Sequence, residues 1–386
     1  MRVLWVLDGR EIGGTRTTVL SLTGALRDRG WETPILFFGA GEFADECRSE
    51  GYEVGMFGDK APPAPDGSLA SKASRYVSLL AYGRLRRGEL DASVRALQPD
   101  ALHFLWPNHL PLVGPIAKRQ GLAAYWEMPN IIGSGYPFDL NRRITQHQLK
   151  RYGVSVLASS RYVAGTFGSV AAPPVHLPLG INHRRFDPDR VTPVSRTELR
   201  IPRDAVALGI FARLDPSKGQ GRILDALDLL GDGDPEIHLC LFGDGQAAYR
   251  EQLEQRARAL ASRIRLRLFG AVPDPEKYYD AVDVALNSRI DPEPFGLSAV
   301  EAMAMRRPVL VHALGGPQET VVDGVTGWHT DDPTPEGLAS ALRRVLADRA
   351  RWPEMGEQAR ERVLQHYTLD RQVSRYQELL LHDAGS

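Results

Sequence analysis

The chain has 386 residues, 43% of them hydrophobic and 25% charged, which is ordinary for a soluble globular protein and long enough for two domains with separate cores. Its 47 Lys and Arg balance 48 Asp and Glu to a net charge of −1, so no global field draws nucleic acid or an anionic membrane. Cys47 and Cys240 lie far apart without metal-ligand spacing, so neither a zinc site nor a disulfide framework is expected. The N-terminal apolar run is short for a signal peptide, and nothing approaches the roughly 18 apolar residues of a membrane span. A cytoplasmic protein is the expectation.

Val3 to Leu7 is short and apolar, as a buried strand is, and DGREIGG follows it. Val19, Leu22, Ala25 and Leu26 then give Thr15 to Arg29 one apolar helical face, Gly30 suits the helix end, and Thr33 to Phe38 is the next strand. Strand, glycine turn, helix and strand make a right-handed βαβ unit in a parallel sheet. Gly13 and Gly14 stand where backbone NH groups and a helix N-terminus meet a phosphate, or where a turn simply needs glycine. The GxGxxG spacing of a dinucleotide site is not met.

APPAPDGS at 61–68 is a loop or lid candidate, and Tyr76 to Leu97 is expected as a helix. Its RLRR at 84–87 is either a solvated face or a lipid or partner contact. The strand in PDALHFLW ends near Leu105, and ligands of open α/β sheets collect at the carboxyl ends of strands. Trp106, Asn108 and His109 are therefore acceptor-side candidates, although such a histidine also serves as a structural hydrogen bonder. LAAYWEMPN at 122–130 is a further strand, which brings Trp126 and Glu127 to the same side. Glu127 either orients an acceptor or is a paired structural charge. The glycine-broken IIGSGYPF at 131–138 is assigned to an acceptor loop, VSVLASSRYVAGTF at 154–167 to a strand and helix, and the polar stretch after LGINHRRFDP, to about Arg203, to a domain linker.

The second half repeats the alternation. VALGIFAR (206–213) is a strand, and Arg213 and Lys218 bracket the turn into a helix from Gly221 to Leu230. Two cations there suit a diphosphate leaving group, whose charge grows as its bond breaks. HLCLFGDGQ (238–246) is a strand ending in Gly243-Asp244-Gly245, Glu251 to Ser262 a helix, IRLRLFGAV (264–272) a strand, and YYDAVDVALNSR (278–289) a helix and strand. In DPEPFGLSAVEAMAMRRPV, Pro292 and Pro294 hold the chain extended, and Ser298 is the expected N-cap of a helix from Ala299 that stops before Pro308. Glu293 then sits at the helix mouth and Glu301 in its first turn, either as a pair of ligand-holding carboxylates or as a solvated loop charge and a dipole partner. Gly315 and Gly316 permit a tight bend, Glu319 is read as structural, residues 334–366 as helical, and Leu369 to His382 as a last helix.

Glu293 to Gly296 and Glu301 to Ala304 resemble the EPFG…EAMA signature of retaining glycosyltransferases of family 4. Arg213 to Gly219 resembles the same family's GRL…KG, with Ala212 where Gly usually sits. Residues 308–327 resemble its PVVAS..GG.PE.V.DG.TG, and 179–188 its NGVD…RF.P, with Leu179 in place of the usual Asn. The resemblance implies a GT-B fold: α/β, with two Rossmann-like parallel-sheet domains facing a cleft. The first domain, 1–180, would bind the acceptor; the second, 181–367, the nucleotide sugar; and a helix in 368–386 would pack back on the first.

The resemblance also implies residue roles. Gly13 and Gly14 would face donor phosphates, which Arg213 and Lys218 would neutralise. Glu293 would hold donor sugar hydroxyls, with Phe295, Gly296 and Leu297 beside it, and Glu301 the ribose. Gly243 would approach the donor closely, and the main chain near Val272 would hold the base. Family 4 commonly carries His-Asp where this chain has Trp126-Glu127. The implied reaction is retaining transfer of a hexose-type sugar from a nucleoside diphosphate, UDP favoured and GDP possible, to a hydroxyl of a small soluble acceptor. No cofactor or metal is expected. The alternatives are a GT-B epimerase or phosphorylase, a sugar-binding protein without catalysis, and a nicotinamide-dependent oxidoreductase, which the failed GxGxxG disfavours.

Overall fold

The computed structural model describes residues 1–386 except Arg10, Ile12, 59–68, 129–130, 133–138, 169–172, 231–234, 261–262 and 385–386. The lid candidate 61–68 and most of the expected acceptor loop at 131–138 lie outside the described residues. The chain divides into two units, one of Met1–Pro178 with Leu369–Ser386, the other of Leu179–Thr368.

The first unit runs β1 (Val3–Leu7), α1 (Gly13–Asp28), β2 (Ile35–Phe37), α2 (Glu42–Ser49), β3 (Val54–Met56), α3 (Leu69–Leu85), α4 (Arg87–Ala96), β4 (Ala101–Phe104), α5 (Leu110–Gln120), β5 (Ala123–Met128), α6 (Leu140–Tyr152), β6 (Val154–Ala158), α7 (Arg161–Gly165) and β7 (Val175–His176). The second runs β8 (Val206–Phe211), α8 (Gln220–Asp228), β9 (Ile237–Phe242), α9 (Ala247–Arg258), β10 (Ile264–Gly270), β11 (Val284–Asn287), α10 (Leu297–Ala304), β12 (Val309–His312), α11 (Pro317–Thr320), β13 (Gly327–Thr330), α12 (Pro335–Ala347) and α13 (Trp352–His366). The chain then returns to the first unit as α14 (Leu369–Ala384).

The first sheet has the order β3-β2-β1-β4-β5-β6-β7 and the second β10-β9-β8-β11-β12-β13. Every strand pairing between named strands is parallel. Such sheets are covered on both faces, so their strands are continuous apolar runs. Along β1, alternate residues feed two layers. Leu4 and Val6 join Leu79, Leu90 and Ile116 on one face. Val3, Trp5 and Leu7 join Val19 and Leu22 of α1 and Val373, Tyr376 and Leu380 of α14 on the other. Burying each such side chain is worth about 1.5–3 kcal/mol. In the second unit Val206, Leu208 and Ile210 pack under α8, α9 and α12, while Val300, Met303 and Ala304 of α10 join Ala359 and Val363 of α13.

Several boundaries differ from the sequence expectation. Tyr76 to Leu97 is not one helix but two, meeting at Arg86, whose guanidinium turns back to the Phe57 carbonyl, 3.2 Å away. In place of the helix expected from Tyr278, only a short 3-10 turn, Tyr279–Ala281, precedes β11. The polar stretch expected as a linker is part of the second unit: Ile201 is buried there, and Arg196 pairs with Asp283 at 2.6 Å.

Candidate active site

In both sheets the strand order reverses once, between β1 and β4 in the first unit and between β8 and β11 in the second. Loops leaving neighbouring strands there part in opposite directions and leave a crevice at the carboxyl ends. Each unit places a polar cluster at that point.

In the second unit the loop after β8 carries Arg213 and Lys218. Asp215 caps the 3-10 turn Pro216–Lys218 by accepting from the Ser217 backbone NH at 2.9 Å. Gly219 follows with φ +76, and a Cβ there would stand 2.0 Å from the Ser288 carbonyl oxygen. Only glycine lets these two loops meet. They are then tied by Ser288 Oγ donating to the Lys218 carbonyl at 2.9 Å and by the Ile290 NH donating to that of Ser217 at 3.0 Å.

The consequence is that Lys218 Nζ reaches Glu293 Oε2 at 3.2 Å, and Arg289 Nη1 reaches both Glu293 oxygens at 3.3 Å. Glu293 is itself fixed from behind, its NH bonding the Leu314 carbonyl at 3.1 Å and its carbonyl accepting from Gly316 at 2.7 Å. Gly315, at φ +101, has no room for a Cβ, which would meet the Glu293 carbonyl oxygen at 2.2 Å. Arg213 does not join this contact. Its side chain is 62% exposed and lies 3.7 Å from Asp215, while its carbonyl accepts from Gln220.

The helix after Glu293 begins at Leu297, with Gly296 at φ +90 as its cap and no side-chain cap bond. Ser298 is therefore inside α10 and does not cap it, because the left-handed Gly296 turns the chain into the helix two residues early. Glu301 falls in the second turn, not the first. Tyr279 donates to Glu301 Oε2 at 3.0 Å. Burial pushes the Glu301 carboxyl up to about 7, against the Tyr279 hydrogen bond and the Arg185 charge and with help from Glu276. Phe295 is buried edge-on against Tyr367 and anchors the loop, whereas Leu297 and Val272 are half-buried. Gly243 abuts the Ala212 carbonyl, where a Cβ would stand 2.1 Å away, so its bareness serves contact between two strand ends.

In the first unit Gly13 and Gly14 are exposed and open the 16-residue α1. Before them, Glu11 is 3% exposed and clamps the turn, accepting from the NH groups of Asp8 at 2.7 Å and Gly9 at 2.9 Å, and from Trp106 Nε1 at 3.0 Å. His109 is fully buried, with Nε2 2.7 Å from Asp8 Oδ1. The Nδ1 of His109 and the Nδ2 of Asn108 are buried without a hydrogen-bond partner among the described residues. Trp106 and His109 thus converge with Glu11 and Asp8 just after β4, with buried Asn108 between them in the chain.

Trp126 and Glu127 do not. Trp126 has no exposed surface, lies in the core against Phe104 and donates to the Leu105 carbonyl at 2.9 Å. Glu127 is 5% exposed and bonds His103 Nε2 at 3.1 Å, while His103 Nδ1 meets the Tyr376 hydroxyl at 2.8 Å. The reason is that both faces of β5 are interior: one packs into the core under α5 and α6, the other under α14. Of the two readings of Glu127, the geometry is that of the paired structural charge. The sequence does not mark Glu11 or Arg289; a polar residue directly after a strand at the order reversal is the signal that marks Asp8.

Two Rossmann-like units, with a lysine and a glutamate paired at the strand-order reversal of the second, define a GT-B glycosyltransferase. The family model for glycosyl transferases group 1 matches residues 192–362. A D-inositol 3-phosphate glycosyltransferase of Corynebacterium efficiens is 32% identical over 355 residues, 82% of this chain and 83% of that one. A GDP-mannose-dependent alpha-(1-6)-phosphatidylinositol monomannoside mannosyltransferase of Mycolicibacterium smegmatis is 28% identical over 365 residues, 89% and 87% of the two chains. The chain belongs to the glycosyl transferases group 1 family. Its fold is shared with the Anabaena protein Alr3699/HepE, solved in complex with UDP, at TM-score 0.78 and 20% identity over 99% of this chain and 100% of that one. Among the described residues no helix is long and apolar enough to cross a membrane.

Proposed function

We propose that this chain is a retaining family 4 glycosyltransferase that moves a hexose-type sugar from UDP or GDP to a hydroxyl of a small soluble acceptor in the cytoplasm. The observation that carries the reading is the contact of Lys218 with Glu293 at the strand-order reversal. A nucleoside diphosphate sugar presents a double anion next to a polyol. The same crevice offers Lys218 and Arg289, with exposed Arg213 at its edge, and carboxylates to match hydroxyls.

The bond from the anomeric carbon to the diphosphate breaks, and the new bond to the acceptor oxygen forms on the same face. The acceptor's proton passes to the departing phosphate oxygen. Lys218 and Arg213 stabilise the charge that grows on the diphosphate, Glu293 orients the sugar, and Glu301 holds the ribose. Charge-assisted hydrogen bonds of this kind contribute about 1.5–3 kcal/mol each. These side chains supply the positive charge, so no resident metal is part of the proposal. In the first unit Trp106, Asn108 and His109, with Asp8, are assigned to the acceptor. The inositol phosphate named for the Corynebacterium relative favours a polyol acceptor. The lipid-linked acceptor named for the Mycolicibacterium relative is the competing class.

The test is diphosphate release. UDP- and GDP-sugars are incubated with the protein, with and without polyol and phosphoinositide acceptors, and free nucleotide is measured. Acceptor-dependent release with a retained anomeric configuration is the expected result. Release without any acceptor response, or none from any donor, would overturn the assignment. A melting-temperature panel with UDP, GDP, ADP and dTDP selects the base, because a ligand bound to the folded state raises its stability by mass action.

A further inference from the structure

Strand β10, on the outer edge of the second unit, has no role in the chemistry above. At seven residues it is longer than the other sheet edges, β3, β7 and β13, which have three, two and four. Among the described residues no strand pairs with its outer side. Its neighbour β9 is buried throughout, but from Leu266 to Gly270 β10 is only half-buried. Long apolar edges invite pairing by another chain, so their composition is informative.

The edge forms the floor of a groove of about 720 Å³. One wall is Ala257 of α9 with Leu260 just beyond it, and these pack on the same buried core as Leu266 and Leu268. The other is the turn at Leu199 and Arg200, next to Phe269. The groove contains five arginines and two glutamates. Arg250 is paired with Glu254 at 3.3 Å, and Glu198 is held by Ser195. That leaves Arg200, Arg258, Arg265 and Arg267 without a carboxylate partner among the described residues. Arg267 is fixed in place, donating to His238 Nδ1 at 3.4 Å and to the Arg200 carbonyl at 3.0 Å.

We infer that this groove is a docking site for an extended acidic segment of a partner protein, which adds to β10 as a further strand. An unpaired strand edge offers alternating NH and carbonyl groups that an extended polypeptide backbone pairs in register. Leu266 and Leu268 take the apolar side chains on one face of the incoming strand, and Arg265 and Arg267, on the other face of β10, take its carboxylates. A second copy of this chain is disfavoured by charge: antiparallel pairing of two β10 edges in the fully overlapped register would set Arg265 and Arg267 against their own kind, and like charges directly opposite destabilise a ladder.

The probe is a capped, fluorescein-labelled octapeptide of alternating glutamate and valine, titrated by anisotropy against the full chain. The controls are its lysine-for-glutamate counterpart and a version N-methylated at alternate amides. Saturable binding of the first, at least about tenfold weaker binding of both controls, and slowed amide exchange over 264–270 are expected. The R258E/R265E variant changes two exposed side chains and should lose about tenfold in affinity, with unchanged melting temperature and unchanged glycosyl transfer. The inference is overturned if the glutamate peptide fails to bind, if the lysine or N-methylated peptide binds as well, or if β10 amides stay unprotected. Protection of those amides by phosphatidylglycerol vesicles, with none from the peptide, would also overturn it.

Discussion

Lys218 Nζ lies 3.2 Å from Glu293 Oε2, although 75 residues separate the two. Both side chains are largely buried, 25% and 15% exposed, so the pair is shielded from the solvent that weakens surface ion pairs. Before donor binds, each group neutralises the other. On the function proposed above, a diphosphate that takes Lys218 would free Glu293 to accept from sugar hydroxyls with Arg289 still bonded to it, which would couple sugar orientation to leaving-group stabilisation in one contact.

Two substitutions separate those roles. Lys218→Ala removes charge from the growing diphosphate anion and leaves Glu293 with Arg289 alone. We expect kcat/KM to fall by about 10²–10³ and nucleoside diphosphate affinity to fall with it. Glu293→Gln keeps the shape but loses the charged acceptor, so the nucleotide should bind with near-native affinity while transfer falls by about 10–10². Calorimetry with the free nucleotide against steady-state kinetics reads the difference. Equal loss in both measurements for Glu293→Gln would place it on the nucleotide and not on the sugar.

Burial of Glu301 predicts a pH-dependent stability. An ordinary glutamate ionises near 4.5, whereas burial holds this one at about 7. A raised carboxyl stabilises the fold where both states are protonated, below about 4.5. That contribution is lost as pH rises through 7, and amounts to about 3 kcal/mol. Against Glu301→Gln, the wild type should therefore lose relative stability between pH 4.5 and 7.5 in urea titrations. Nucleotide affinity should move the other way: ribose hydroxyls donate more strongly to the ionised form, so binding tightens above pH 7 and this dependence disappears in Glu301→Gln.

Much of this arrangement was readable in the chain. The strands were legible because parallel sheets covered on both faces demand unbroken apolar runs such as Val3–Leu7 and Ile237–Phe242. The loop carrying Glu293 was legible from its prolines, its glycine and its motif. What failed depended on conformation, not residue type. Ser298 has the chemistry of a cap, but a left-handed Gly296 starts the helix before it. The sequence puts Trp126 and Glu127 on a strand leading to the acceptor side, yet α14 arrives from more than 240 residues later and covers the Glu127 face. Arg289 was invisible as a site residue because its partner is decided by how its own loop bends back.

Gly315 gives a purely structural test of the Glu293 loop. Its φ of +101 is strained for any other residue, and a Cβ would press on the Glu293 carbonyl oxygen. Gly315→Ala should cost about 1–3 kcal/mol, and the loop should relieve the clash by moving Glu293 away from Lys218. A lower melting temperature with transfer reduced at least about tenfold is expected at temperatures where the variant is still folded. Native activity in the folded variant would show that the Gly315 contact does not position Glu293.

Glu127 distinguishes a buried structural pair from a catalytic carboxylate. Its bond is to His103, which in turn meets Tyr376 of the last helix and stacks on Trp5 at 3.8 Å between ring centres. Glu127→Gln keeps a carbonyl oxygen that accepts from His103 Nε2, so transfer should stay within a few-fold of wild type. Glu127→Ala leaves His103 with an unmet buried donor and should cost about 1–3 kcal/mol, seen as an earlier urea midpoint. Truncation before Leu369 removes Tyr376 together with Val373 and Leu380, strips one face of the first sheet, and should destabilise that unit far more than either point change. A catalytic Glu127 would behave differently: the glutamine variant would lose turnover by orders of magnitude while melting at the native temperature. That single result would return Glu127 to the acceptor side.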